Sequence, residues 1–294
     1  MEPIVIFCKS YLPDLQRLII LLESIKDHNI QNIPVFISVP LNEYDIFKNK
    51  LREFDITLIS DEEIANDLIE KPINEFNPGY INQQIVKMSF WKQNICENYF
   101  CIDSDCMFIR DFNYDDFLAC RNENIPYTIL NQDKELWVEP NYRGYYEARL
   151  EKLKKIQKDI DLYDRRYLTC HGNAILSRKV LKSFEEKFLE PKGLKLSEIL
   201  KYASYEFSWY NTWLIKDKTI EIYQIEPLIK VFHILDHYSD YLSKKISISD
   251  IKNGYLGVCM NSNWTKNYGI QKYGDKIPSR YELFLRKIFK MRYE

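Results

Sequence analysis

The first 60 residues constrain this chain most, because their apolar pattern alternates repeatedly between a strand period and a helix period. Pro3 to Phe7 is a short apolar run that reads as a strand, and Asp14 to Lys26 puts Leu15, Leu18, Ile19 and Leu22 on one helical face. Pro34 to Val39 reads as a second strand, Asn42 to Glu53 as a second helix and Ile56 to Ile59 as a third strand. Strand–helix–strand–helix–strand at this spacing implies right-handed crossovers and an α/β fold with a mostly parallel, doubly wound, Rossmann-like sheet. Ligands of such sheets sit beyond the carboxyl ends of the strands. The loop Cys8-Lys9-Ser10-Tyr11-Leu12-Pro13-Asp14 follows the first strand and faces that crevice, although Asp14 suits a helix N-cap equally well.

The chemistry concentrates in Tyr99-Phe100-Cys101-Ile102-Asp103-Ser104-Asp105-Cys106-Met107-Phe108-Ile109. An apolar run ends in Asp-Ser-Asp and continues apolar beyond it. Read as an extended segment, two carboxylates one residue apart point roughly the same way. Like charges at a buried strand end are costly unless neutralised, and a divalent cation with hard oxygen ligands neutralises them. A capping or turn role is the competing reading of such a triplet.

Composition narrows the classes. The 41 basic and 43 acidic residues nearly balance, which argues against a nucleic-acid partner. Twenty-two tyrosines can line a carbohydrate or nucleotide site, or cover a large core while keeping their hydroxyls wet. The seven cysteines include no Cys-x-x-Cys pair, so they read as buried free thiols in a reducing compartment rather than as a zinc site. The N-terminus lacks the basic and long apolar regions of a signal peptide, and no run approaches about 18 apolar residues. A cytoplasmic protein is expected.

Further along, residues 78 to 98 begin with Pro-Gly and read as a helix carrying Ile81, Ile85, Met88, Phe90 and Trp91. Gln83, Gln84 and Lys87 share it, either as a solvated face or as a basic contribution next to the acidic motif. The stretch 143–166 is strongly charged, with Glu-to-Lys spacings of a solvated helical insertion. A loop and short strand follow at Tyr167 to Ser177, and Ser197 to Leu214 reads as one helix crowding aromatics around Glu206. The tail 280–292 is basic and apolar together, fitting a docked C-terminal helix or a peripheral contact with the inner face of a membrane.

Several of these segments resemble the GT-A class of nucleotide-sugar glycosyltransferases, and more narrowly a bacterial group acting in polysaccharide or lipopolysaccharide biosynthesis. The resemblance lies in Phe7 to Tyr11 with Asp14, Gly79 to Lys87, Cys101 to Asp105 and Tyr205 to Tyr210. It implies a single GT-A-like domain over 1–294, with a nucleotide-sugar-binding half at 1–115 and an acceptor-binding half at 116–294. It also implies Mn²⁺ or Mg²⁺ on Asp103 and Asp105, with His233 as a further ligand; His237 is the neighbouring alternative. Lys9, Ser10, Tyr11 and Asp14 would line the base and ribose pocket, and Gln84, Lys87, Asp103, Ser104, His171 and Asn173 would complete the donor site. Trp209 would stack on the acceptor sugar, and Asn263 and Trp264 would belong to a closing loop.

Glycosyl transfer requires a stabilised leaving group, a positioned acceptor hydroxyl and, for inversion, a general base. Glu206 is the candidate base, because aromatic neighbours would raise its pKa. The expected activity is therefore metal-dependent hexosyl transfer, inverting, from a nucleotide-diphosphate sugar (a UDP-sugar favoured) to a glycan or glycolipid acceptor. A nucleotidyltransferase is the alternative, disfavoured because Lys9 to Asp14 lacks a glycine-rich phosphate loop. A non-catalytic nucleotide- or carbohydrate-binding protein of the same fold is another.

Overall fold

The computed structural model describes residues 1–72, 77–130, 143–162, 173–282 and 284, with backbone alone at 143–146 and 148. The chain opens with β1 (Glu2–Lys9), α1 (Leu15–His28), β2 (Val35–Val39), α2 (Tyr44–Lys50), β3 (Thr57–Ser60), α3 (Asp61–Ile64) and α4 (Pro78–Ser89). Next come β4 (Cys96–Cys101), β5 (Cys106–Phe108), β6 (Leu118–Cys120), β7 (Ile125–Thr128), α5 (Arg143–Ile160), β8 (Ala174–Ser177) and α6 (Arg178–Phe184). The remainder comprises α7 (Glu190–Lys192), α8 (Leu196–Leu200), α9 (Glu206–Asp217), β9 (Tyr223–Gln224), β10 (Ile229–Phe232), α10 (Leu235–Ser243), α11 (Ile248–Ile251), β11 (Gly257–Met260) and α12 (Ser262–Tyr268).

These elements form two compact units. The first comprises Met1–Pro13, Asn29–Asp103 and Phe112–Pro227. Its main sheet has the order β3-β2-β1-β4-β8. The first four strands are parallel and β8 joins β4 antiparallel, so the expected mostly parallel α/β sheet is present. β1 is central, and Ile4 to Cys8 are fully buried. Such a strand is covered on both faces, which explains its unbroken apolar run. Phe7, Phe90 and Tyr99 pack ring on ring, the first two stacked at 4.1 Å.

Local chemistry explains where α4 begins and ends. The Asn77 side chain accepts a hydrogen bond from the Tyr80 amide at 2.9 Å, and Pro78 fills the first turn, where no amide donor is needed. The α-helix stops at Ser89, short of the expected residue 98. A 3-10 turn and the left-handed Asn94 then deliver the chain to β4.

The expected helix over Ser197 to Leu214 is broken between α8 and α9. The Ala203 carbonyl accepts both the Tyr205 amide and the Trp209 indole N–H, and Tyr205 leaves helical geometry. That break makes Glu206 the first residue of α9. The charged helix expected over 143–166 spans Arg143–Ile160, while 163–166 lie outside the described residues.

The second unit comprises Asp14–His28, Ser104–Asp111 and Leu228–Glu294. Its sheet has the order β10-β11-β5, with β10 and β11 parallel and β5 antiparallel to β11. Helix α1 ties to β5 through the Ser24 hydroxyl, which accepts the Phe108 amide at 2.9 Å. Phe232, Tyr238, Trp264 and Tyr273 build its aromatic core. Trp264, expected in a closing loop with Asn263, lies instead in α12. It is buried and donates its indole N–H to the Phe232 carbonyl.

The apolar segment around Asp-Ser-Asp is therefore not one extended strand. It is two strands, β4 in the first unit's sheet and β5 in the second's, joined by a turn at Ser104 and Asp105. Among the described residues no helix is long and apolar enough to cross a membrane. Most of the tail 280–292 lies outside the described residues.

Gly257 offers a test of the second sheet. A Cβ there would sit 2.5 Å from the Met107 carbonyl oxygen and 2.8 Å from Ile229 Cδ1. Backbone on one side cannot yield as a flexible side chain would. Gly257→Ala is expected to destabilise the protein by about 1–3 kcal/mol, read as a lower urea midpoint at unchanged slope.

Candidate functional site

In the first unit the site is organised by Lys87, on the buried side of α4. Its ammonium lies 2.8 Å from Asp103 Oδ1, just past the carboxyl end of β4, and 3.2 Å from Glu206 Oε1 at the start of α9. The Phe207 ring lies 5.3 Å from the same nitrogen. Burial alone would discharge the ammonium, but the two carboxylates outweigh it and push Lys87 well above the ordinary lysine range. Three elements converge on this cation. Glu206 was expected to be tuned by aromatic rings; its dominant neighbour is this ammonium. Asp103 keeps 30% of its side chain exposed, so it can still meet a ligand.

Beyond the ends of β1, β2 and β3 lies a second polar cluster. Lys9, expected to line a nucleotide pocket, spends its ammonium on Asp61 at 2.9 Å and on the Ser10 carbonyl at 2.7 Å. Ser38 donates its hydroxyl to Asp61. Burial pushes the Asp61 carboxyl up from its ordinary value, against the opposing pull of Lys9 and Ser38. Sequence reasoning passed over Asp61, although it follows a parallel strand just as the Lys9 loop does.

Ser10 and Gln84 are buried, and the Ser10 hydroxyl and the Gln84 amide oxygen have no hydrogen-bond partner among the described residues. Buried polar atoms of that kind ordinarily meet water or a ligand. Tyr11 is exposed, and Asn173 is fully buried directly before β8. His171 lies outside the described residues. Trp209, expected to stack on a sugar, is fully buried among Phe184, Phe188 and Tyr202 and offers no face to a ligand. Its position is dictated by packing: it is the anchor that breaks α8 from α9.

Asp105 belongs to the second unit. Its Oδ2 accepts the Ser262 amide at 2.7 Å and its Oδ1 the Cys259 thiol at 3.2 Å. The Ser104 hydroxyl reaches Asp14 at 3.4 Å, and Asp14 in turn meets Arg17, whose guanidinium also donates to Thr265. Among the described residues, Asp105, Cys106 and Cys259 place their potential ligand atoms within 4.8 Å of one another. His233 follows β10, half-buried, and is not in that group; His237 is a core histidine 3.2 Å from Lys230. Cys259 had no sequence signal linking it to the acidic motif, because strand pairing alone brings it there.

A family model described as a family of unknown function, DUF6492, matches residues 3–245. The chain belongs to that family. No curated protein sequence matches this DUF6492 chain significantly. Among solved structures it is similar to the WbbM bifunctional glycosyltransferase in its apo form, with a TM-score of 0.53 at 13% identity, covering 96% of this chain and 51% of that one. It therefore spans about half of WbbM. Mouse xyloside xylosyltransferase 1 in its apo form gives a TM-score of 0.49 at 10% identity, over 88% of this chain and 98% of the other. The DUF6492 chain has a glycosyltransferase-like fold.

The Lys87 triad makes a stability prediction. Lys87→Met leaves two carboxylates facing each other without their cation, and removing one partner of a buried ion pair costs about 3 kcal/mol or more. Chemical denaturation of the variant is expected to show that loss, with partial recovery when Glu206→Gln is added.

Proposed function

We propose that this chain is a metal-dependent glycosyltransferase. It would move a sugar from a nucleotide-diphosphate sugar, UDP-linked by preference, to a glycan or glycolipid acceptor in surface polysaccharide biosynthesis at the cytoplasmic face of the membrane. The observation that carries this reading is the position of Asp-Ser-Asp. It follows the carboxyl end of β4, where open α/β sheets bind their ligands, in a fold shared with a glycosyltransferase.

Each residue group has a distinct task in this reading. The buried, unpartnered Ser10 hydroxyl and Gln84 amide oxygen are available to the nucleotide. Asp103, oriented by Lys87, accepts hydrogen bonds from ribose or sugar hydroxyls through its exposed part. The charge on Lys87 also offsets the diphosphate. Asp105, the second carboxylate of the triplet, would support a cation through its hard oxygen atoms. A divalent cation held there would supply charge neutralisation for the departing diphosphate. Glu206, held at 3.2 Å from Lys87, takes the acceptor hydroxyl proton, which makes the transfer inverting.

Two measurements test the reading. Thermal-shift screening against UDP, GDP, CMP and dTDP, with and without Mn²⁺, Mg²⁺ or Zn²⁺, should show stabilisation by one nucleotide class that depends on metal. At about 100 times the dissociation constant, that stabilisation amounts to ~2.7 kcal/mol. Asp105→Ala should abolish it, and no response to any nucleotide would reject the proposal. With a donor in hand, Glu206→Gln is expected to lower kcat by roughly 10²–10⁴-fold with little change in donor KM; an unchanged kcat removes Glu206 from the role of base.

A further inference from the structure

We infer that the metal position at Asp105 is a mixed carboxylate–thiolate site, formed by Asp105, Cys106 and Cys259, and that it selects a thiophilic divalent ion of the Zn²⁺ class over a hard cation. This deepens the reading above, on which it rests only for placing a metal at Asp105.

Strand register builds the site. Cys106 on β5 stands opposite Cys259 on the antiparallel β11. The Met260 amide donates to the Asp105 carbonyl at 2.8 Å, and the Ile109 amide to the Leu256 carbonyl at 2.9 Å. Those flanking pairs carry the ladder hydrogen bonds, and such pairs alternate along an antiparallel ladder. Cys106 and Cys259 therefore form a non-hydrogen-bonded pair, the kind with Cα atoms only about 4.5 Å apart and the closer side chains. Both thiols lie on one face, and Asp105 turns its carboxylate into the same space, with Cys259 Sγ at 3.2 Å from Oδ1.

Two sulfurs and one oxygen, all within 4.8 Å, are a donor set for Zn²⁺. Thiolates favour soft and borderline ions, whereas Mg²⁺ takes oxygens alone. Three protein ligands leave one place of a tetrahedral ion open to an oxygen of solvent or substrate. The thiols are buried but Asp105 is only half-buried, so the ion has an approach from the carboxylate side. Binding releases the two thiol protons to solvent. The spacing of cysteines in the sequence had argued against zinc because it lacks a Cys-x-x-Cys pair; here the second sulfur arrives across a sheet.

The test uses the reduced full-length protein and Cd²⁺ as the probe, without nucleotide. A sulfur-to-metal charge-transfer band should saturate at one ion per chain with the intensity of two thiolates. Zn²⁺ should displace it, and a large excess of Mg²⁺ should not. Cys106→Ser and Cys259→Ser should each remove one thiolate's share of the band. Asp105→Asn should keep both thiolates but bind at least about tenfold more weakly, because a neutral amide replaces a deprotonated ligand. The inference is overturned by no band, by a band that persists in the double cysteine variant, by Mg²⁺ competing as well as Zn²⁺, or by thiol titration showing the pair oxidised to a disulfide. Because no nucleotide is present, a Cd²⁺ band alongside a failed nucleotide screen rejects the glycosyltransferase reading and leaves the metal site standing. The reverse pattern rejects only the metal site.

Discussion

The charge on Lys87 is the constraint on which the first unit's site depends. Placing an ammonium inside a protein is unfavourable unless opposite charge comes with it. Here two carboxylates come from distant parts of the chain, Asp103 at the end of β4 and Glu206 at the start of α9. The backbone is held to the same point, because the buried Tyr99 hydroxyl donates to the Lys87 carbonyl at 2.6 Å. The helix, the strand end and the second helix are thereby fixed by one electrostatic requirement. A side chain whose charge cannot be removed cheaply is a dependable positioning device for the acidic residue beside it.

The two aspartates of the Asp-Ser-Asp triplet consequently differ. Asp103 is paired with the Lys87 ammonium in the first unit, whereas Asp105 accepts an amide and a thiol in the second. The first arrangement fixes the direction of a carboxylate that stays partly exposed. The second fastens a carboxylate to the backbone and the strand pairing of the other unit. A triplet that looks symmetrical in sequence thus has two different sets of partners.

The alternation of strands and helices through β1 to β3 was legible because period and length are local properties, and the buried run Ile4 to Cys8 shows why the pattern was so pronounced. Lys87 and Glu206 were also singled out, but only as separate candidates on two helices; the ion pair that joins them was not legible. Trp209 was misread: an aromatic beside a carboxylate looks the same in sequence whether it faces a ligand or the core. Its indole bond to Ala203 decides the matter and also breaks the helix that periodicity had run straight through. For Lys9, assigned to a ligand pocket, the sequence did not show that its ammonium meets Asp61 at 2.9 Å.

By itself the sequence determined the class of fold, the apolar strands that carry it and the acidic triplet at a strand end, since each depends on neighbours within a few residues. Only the tertiary structure decided which partner each carboxylate has. Asp103 meets Lys87 from 16 residues away, and Asp105 meets Cys259 from 154 residues away. Those pairings are set by strand order and register, where a shift of one residue turns every side chain to the opposite face. No local pattern encodes them, because the energy that selects them is shared across the whole sheet.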